Sequence, residues 1–295
     1  MKKSKIKRSS AAMWIIFGFL MIYAISLIFL YLWAFYTSLK SAGDFLKDMI
    51  FPPLPWKLNF VNYKTALDLF QQTIVKSDGV YKLGIYDMLY NSIVFCLLRT
   101  TIGTFVQWLM AYLIAHFKWR FTDFFYKLMI VIMMIPVMGT LPATLAFWKG
   151  LNLYDTWTYV AISSIGFGGF NFLIFYSFIR NVANDTIEAA KIDGAGNFSL
   201  MMRIVFPQTL NAFLILYVTT FIANWNDYMT MVIMLPSYPS LAYGVYSFSV
   251  SSATGAGLPP IQMAGSMLLV LPIFIVFMIF KEKILGGISV SLSKI

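Results

Sequence analysis

The chain has 295 residues, 60% of them hydrophobic and 12% charged, with 22 basic side chains against 12 acidic ones and a mean hydropathy of +0.76. No soluble core hides that much apolar side chain, and the same composition excludes disorder, collagen-like order and a disulfide scaffold. The net charge of +10 is no nucleic-acid footprint, because the basic residues stand at the ends of apolar runs, and the single Cys96 makes no internal disulfide.

The first segment, residues 1–11, is basic, with Lys2, Lys3, Lys5, Lys7 and Arg8. The apolar run behind it continues without a charge from Ser9 to Leu39, about twice the length of a signal-peptide core. No small-residue cleavage site ends it, so it reads as a retained membrane helix. A helix needs about 20 apolar residues to cross the hydrocarbon core. Six segments meet that length: Ala12–Ser38, Met88–Phe117, Leu128–Trp148, Trp157–Ile179, Thr209–Leu235 and Ile261–Phe280. They are continuously apolar and do not alternate, which favours helices over a barrel. The expected fold is an all-α, multi-pass membrane protein, with six transmembrane helices over 12–280 and a tail at 281–295. Six spans put both termini on one side. With the N-terminus inside, the inner segments carry 14 basic residues and the outer ones 7, so both termini are expected in the cytoplasm.

Two loops are too long to be mere connectors. The outer loop 39–87 contains Phe51-Pro52-Pro53-Leu54-Pro55-Trp56 and an amphipathic stretch at Val61–Phe70. It is either a small cap on the bilayer surface or a docking surface for an external partner. The inner loop 180–208 balances Arg180, Lys191 and Arg203 against Asp185, Glu188 and Asp193. A loop bound to the anionic leaflet should be polybasic, so a balanced one suits a protein contact. Asp185 and Glu188 have capping-box spacing, and Glu188-Ala189-Ala190-Lys191-Ile192 favours helix. Gly194 is placed to end that helix in a left-handed cap, and Gly196 and Asn197 continue the turn. A second short helix is expected from Phe198 to Phe206, with Pro207 kinking the entry to the fifth span.

At these residues the chain resembles a known family. Glu188-Ala189-Ala190, three residues, Gly194, nine residues, Ile204, one residue and Phe206-Pro207 resemble the EAA motif of the membrane subunits of bacterial ABC importers. Phe206 stands where the family has Leu. The extended run through Lys191, Ile192, Asp193, Gly194 and Ala195 resembles the carbohydrate-importer branch. So do Trp225-Asn226-Asp227, Met134-Ile135-Pro136 and Asn91-Ser92. The likeness covers nearly the whole chain and is to the branch of the maltose transporter's shorter permease component. It implies a type I ABC importer permease fold in the bacterial cytoplasmic membrane, passing a carbohydrate of oligosaccharide class by alternating access. It implies a second permease subunit, an ATPase dimer and an extracellular solute-binding protein as partners. By the same resemblance the inner loop holds the coupling helices, with Glu188 as polar anchor in a cleft of the ATPase. Ala189 and Ala190 permit close approach, Asp193 belongs to the same set, and Gly194 allows the turn. Without the resemblance these residues read as the caps of a surface helix. The sequence has no G-x-x-x-x-G-K-[ST] loop. The chain is therefore expected to be no enzyme and to bind no cofactor itself, with ATP and Mg held by the partner ATPase.

In the fifth span Asn224, Trp225, Asn226, Asp227 and Tyr228 gather amides, a carboxylate and aromatic faces. That set suits a carbohydrate in a transport pathway, and equally an interfacial aromatic belt. Arg99 lies at mid-depth of the second span, and Asp227 stands about 27 Å along the fifth. Their depths differ by about 10 Å on that count, so beside a pair with Asp227 a bond from Arg99 to a helix carbonyl, the partner subunit or water in the pathway stays open. His116 is alone and reads as interfacial. No cluster offers a metal site or a catalytic constellation. The outer loop 236–260 contains Ser251, Ser252, Thr254, Gly255 and Gly257. It reads as a flexible linker or, by the resemblance, as a contact for the sugar-binding protein. The tail with Gly286, Gly287 and Lys294 resembles a family feature that reaches the ATPase. A self-sufficient secondary transporter would show internal repeats with broken helices in corresponding positions, and no such repeat is read.

Overall fold

The computed structural model describes residues 11–76, 79–117, 120–135, 139–166, 168–182, 184–250 and 258–292. The chain divides into two units, one of Met1–Phe70 with Ser247–Leu268 and one of Gln71–Tyr246 with Leu269–Ile295.

In the first unit, α1 (Ala11–Ser38) carries no charge and is apolar on every side, and none of its most apolar window is buried within the chain. A helix end leaves carbonyls without intrahelical partners. Here they are met by a cap built from the following loop. Asn62 Nδ2 donates to the carbonyls of Ser38 and Lys40, both at 2.7 Å, and Asn59 N donates to Leu39 O at 2.8 Å. Asn62 sits on α3 (Val61–Leu69), which occupies the amphipathic stretch, and is 6% exposed. Before it come α2 (Ala42–Lys47), capped by Ser41, and a 3-10 turn at Pro55–Lys57. Lys40 is 2% exposed, and its Nζ donates to Asp48 O at 2.6 Å. Trp33 Nε1 donates to Met49 O at 2.9 Å, and the Tyr36 hydroxyl to Ile50 O.

The second unit opens with a hairpin absent from the expectation. β1 (Gln72–Lys76) pairs antiparallel with β2 (Gly79–Leu83), Ile74 facing Tyr81 in register. The signal was present, because two runs rich in β-branched and aromatic residues flank Ser77-Asp78-Gly79, a cluster of turn-forming residues. α4 (Ile85–His116) follows, and then α5 (Thr122–Met134), α6 (Leu141–Gly150), α7 (Trp157–Ser163), α8 (Phe170–Arg180) and α9 (Asn184–Ile192). After them come α10 (Asn197–Ser199), a π-helical turn at Leu200–Val205, α11 (Phe206–Trp225) and α12 (Tyr228–Met234). α13 (Leu241–Val250) and α14 (Pro259–Leu292) complete the chain. The core lies where α4, α8 and α11 meet. Trp108, Ala111, Tyr112, Phe172 and Phe175, all at most 1% exposed, belong to one cluster with Val205 and Leu216. Trp108 spends its one donor inside that core, on Thr209 Oγ1 at 3.0 Å.

Of the six expected spans, the first, second, fifth and sixth correspond to long unbroken helices, and the third and fourth are each broken in two. Among the described residues four helices are long and apolar enough to cross a membrane: Met13–Ser38, Ile85–His116, Asn197–Trp225 and Pro259–Ile279. The third expected span, Leu128–Trp148, is instead α5 and α6, with Gly139 at φ +71° between them and Pro142 in the first turn of α6. The fourth, Trp157–Ile179, is α7 and α8, separated by a stretch in which Gly168 (φ +95°) and Gly169 (φ +117°) adopt conformations that side chains disfavour. A Cβ on Gly168 would also stand 2.6 Å from Met129 Sδ, so a side chain there would have to displace Met129 as well as bear the strained backbone. The fifth expected span, Thr209–Leu235, also shifts. The helix begins at Asn197 and stops at Trp225, and Asp227 caps α12 by accepting from Thr230 N at 3.0 Å.

Candidate functional site

The loop 180–208 forms an exposed hairpin of helices. α9 begins at Asn184, so Asp185 stands inside the first turn rather than at the cap. The far end of α9 closes as the sequence predicts. Gly194 takes φ +81°, its N–H donates to Lys191 O at 3.1 Å, and Ala195 N donates to Ala190 O at 2.9 Å. That pair of bonds is a Schellman motif, and only a residue at ease in the left-handed region completes it. Nothing lies within 4 Å of a Cβ built on Gly194, so the demand is conformational and not steric.

Glu188, Ala189, Asp193 and Gly194 are exposed and Ala190 is half-buried. Glu188 has no hydrogen bond or ion pair among the described residues. Ile192 is 85% exposed and Phe198 72% exposed. These are large apolar side chains on either side of the Gly194 turn, and sequence reasoning left them unmarked. Beside Glu188 lies a cavity of about 310 Å³ with a mainly polar wall that includes Tyr112, His116, Arg180 and Lys191. The second short helix expected from Phe198 to Phe206 is not separate. It runs on through the π turn into α11, where Phe206 N donates to Met201 O. Pro207, which lacks an N–H, sits in the first turn of α11, directly after the wider π turn.

The second group of residues surrounds the break after Trp225. Arg99 Nη1 lies 3.3 Å from Asp227 Oδ2 and 3.2 Å from Thr230 Oγ1, and the Thr230 hydroxyl donates to Asp227 Oδ2 at 2.6 Å. The pair that the depth count set apart therefore meets, which corrects that count. Trp108 bonds Thr209, and Thr100 bonds Asn224 at 3.0 Å. Between those ties α4 advances eight residues, about 12 Å, while the fifth span advances fifteen, about 22 Å. Equal counts of residues along the two helices therefore do not mark equal depths, and the contacts, not the counts, fix which positions meet. Asn224 is buried, and Trp225 is 2% exposed with Nε1 donating to Leu269 O at 3.3 Å. Tyr228 stacks on Tyr246 at 4.4 Å, and Asn226 is exposed, its side chain bonded to Ile222 O.

The two groups are distinct. Arg99 and His116 stand seventeen residues apart on α4, about 25 Å. Ser251, Ser252, Thr254, Gly255 and Gly257 lie outside the described residues, as do Pro136, Lys294 and the first ten residues. Among the described residues no group of three or more His, Cys, Asp or Glu side chains could hold a metal. Asn91 and Ser92, noted in the sequence only for a likeness, prove to be ties. Asn91 Nδ2 donates to Pro239 O at 3.1 Å, and Leu241 N donates to Ser92 Oγ at 2.8 Å.

Comparison with known proteins agrees with this geometry. Residues 103–286 match the family described as binding-protein-dependent transport system inner membrane component. The sn-glycerol-3-phosphate transport system permease protein of Yersinia enterocolitica is 30% identical over 68% of this chain and 71% of its own. The arabinooligosaccharides transport system permease protein of Bacillus subtilis is 24% identical over the same shares. The diacetylchitobiose uptake system permease protein of Streptomyces coelicolor is 22% identical over 92% of this chain and 85% of its own. In fold the chain is similar to a subunit of a bacterial ABC transporter involved in import of the acidic polysaccharide alginate. There the TM-score is 0.74 at 18% identity, covering 93% of this chain and 98% of the other. The chain belongs to the binding-protein-dependent transport system inner membrane component family, the membrane permease subunits of ABC transporters.

Proposed function

We propose that the chain is the permease subunit of an ATP-driven importer that carries an oligosaccharide across the bacterial cytoplasmic membrane by alternating access. It works beside a second permease, an ATPase dimer that binds ATP and Mg, and an extracellular solute-binding protein. Both termini lie in the cytoplasm, and the hairpin of α9 and α10 couples the ATPase to the membrane helices. The observation that carries this reading is the exposed Glu188, free of partners among the described residues, on a helix held by the Gly194 Schellman turn. A carboxylate so presented accepts charge-assisted bonds from a partner's basic groups. Ile192 and Phe198 add apolar area whose burial stabilises the contact, and the small Ala189 and Ala190 let the partner approach. The group of Arg99, Asn224, Asp227 and Tyr228 borders the substrate pathway, and the 251–257 segment contacts the solute-binding protein.

A second reading, import of sn-glycerol 3-phosphate, is supported by the Yersinia relative. Co-expression with the companion permease and ATPase tests the coupling role. Glu188→Arg sets a cation against the ATPase's own basic groups. The expected outcome is loss of co-purified ATPase, or at least a tenfold fall in transport-coupled ATP hydrolysis, since one charge-assisted bond is worth about 1.5–3 kcal/mol. Uptake that ignores both ATP and this substitution would return the chain to the secondary transporters.

A further inference from the structure

The hairpin, the first turns of α4 and the turn after α12 enclose a second cavity, of about 210 Å³. Its walls include Tyr81 of β2, Asp87, Tyr90 and Asn91 of α4, and Ser237 and Tyr238 beyond α12. The floor is braced from three directions. Asn91 holds Pro239, Ser92 holds Leu241, and Asp155 Oδ1 accepts from Ser237 N at 3.0 Å. The rim is open, with Tyr90 66% and Tyr81 43% exposed. One oxygen of Asp87 accepts from Gly84 N at 2.9 Å and caps α4. The other is uncommitted among the described residues.

Phenol rings present apolar faces to the C–H faces of a sugar ring, and an amide and a carboxylate beside them accept its hydroxyls. Among the described residues no arginine or lysine lines the cavity, and its one carboxyl side chain is Asp87. A phosphate entering it would meet a like charge and no cation. We propose that this cavity is a sugar-binding subsite that accepts a neutral carbohydrate and rejects a phosphorylated polyol. The proposal rests on the importer reading and deepens it, because it selects between the two substrate chemistries found among the relatives. It also gives Asn91-Ser92 and the hairpin a purpose: the first fixes the floor and the second brings Tyr81 to the wall.

Two steps test it. Uptake by the assembled importer is first measured for arabinotriose, diacetylchitobiose, maltotriose and sn-glycerol 3-phosphate. Uptake of none of the sugars would overturn the oligosaccharide reading and the subsite with it. Whichever sugar is carried is then offered, with glycerol 3-phosphate as comparison, to the full chain in phosphatidylcholine nanodiscs, and saturation transfer from protein to solute is read by NMR. The expected result is transfer to the sugar and none to the phosphate. Tyr90→Ala should weaken sugar binding about threefold to tenfold, while Tyr90→Phe retains it. Asp87→Asn keeps the capping oxygen and should admit glycerol 3-phosphate. Sugar uptake without transfer to this chain, transfer untouched by Tyr90→Ala, or equal transfer to the phosphate would overturn the subsite and leave the importer reading standing.

Discussion

Arg99 brings a full charge into an apolar helix, where an unpaired cation is costly. Asp227 answers it at 3.3 Å, and the two side chains keep 33% and 24% of their exposure. The same carboxylate caps α12 through Thr230, so one acid joins the charge of α4 to the start of another helix. Asp227→Asn should therefore lower the thermal stability of the assembled permease by about 1–3 kcal/mol, the cost of leaving Arg99 without its counter-charge. Arg99→Gln added to Asp227→Asn should recover part of that loss, with a coupling of about 1 kcal/mol for a partly buried pair. Strictly additive losses in a double-mutant cycle would show that the contact contributes nothing. The identities of both residues stood out in the sequence as polar groups within spans. Their contact did not, because it depends on how two helices far apart in sequence are set against each other, and a linear count of residues does not hold that.

At the scale of elements, the loop that caps α1 is braced by two acids, Asp44 and Asp48, whose protonation should loosen it. The hydroxyl of Ser41, then Lys57 and Lys47, hold the Asp44 carboxyl below the ordinary carboxylate range, against a smaller opposing effect of desolvation. The backbone N–H groups of Ile50 and Phe51, then Lys40, do the same for Asp48. A carboxyl whose folded pKa is depressed contributes stability that is present above its unfolded pKa, about 3.9 for Asp. That contribution is lost as pH falls through the lower folded value. The cap should thus hold at neutral pH and loosen only in acid, below the ordinary carboxylate range. Trp33, bonded to Met49 O, reports it: a fluorescence step in acid should vanish in Trp33→Phe and should already be complete at neutral pH in Asp48→Ala. A step unchanged in both variants would place the transition elsewhere. Elements were legible where a local rule sufficed, as in α3, the Gly194 turn and the long apolar helices. The broken third and fourth spans were misread although Gly139, Pro142, Gly168 and Gly169 mark them. Hydropathy over some twenty residues averages across a break, while each glycine costs a helix about 1 kcal/mol at one point.

On the scale of the whole molecule the broken spans raise a question of topology that the structure makes testable. If α5 to α8 crossed nothing, four helices would cross the membrane, and residues 151–156 would share a side with the loop 180–208. If α5 with α6 crosses once, and α7 with α8 crosses back, residues 151–156 lie on the opposite side. The contacts of the second unit favour the latter. Asp155 N donates to Met234 O, and Asp155 Oδ1 accepts from Ser237 N, both at 3.0 Å, so this turn sits against the one after α12. The turn after α12 is tied in turn to Asn91 and Ser92 near the start of α4, whereas Arg180 and Lys191 share a cavity with His116 at its end. Short half-helices in mid-membrane keep their backbone groups satisfied only where protein or a water-filled pathway surrounds the break. Cys96 is the sole cysteine and is 1% exposed, so introduced thiols read out singly. Leu151→Cys, at a residue 51% exposed, should react with a membrane-impermeant maleimide on intact spheroplasts. Phe198→Cys should react only after the membrane is opened. Labelling of both positions from one side would leave four crossings and make α5 to α8 a layer on the membrane surface, while labelling from opposite sides yields six crossings, two of them built from paired half-helices.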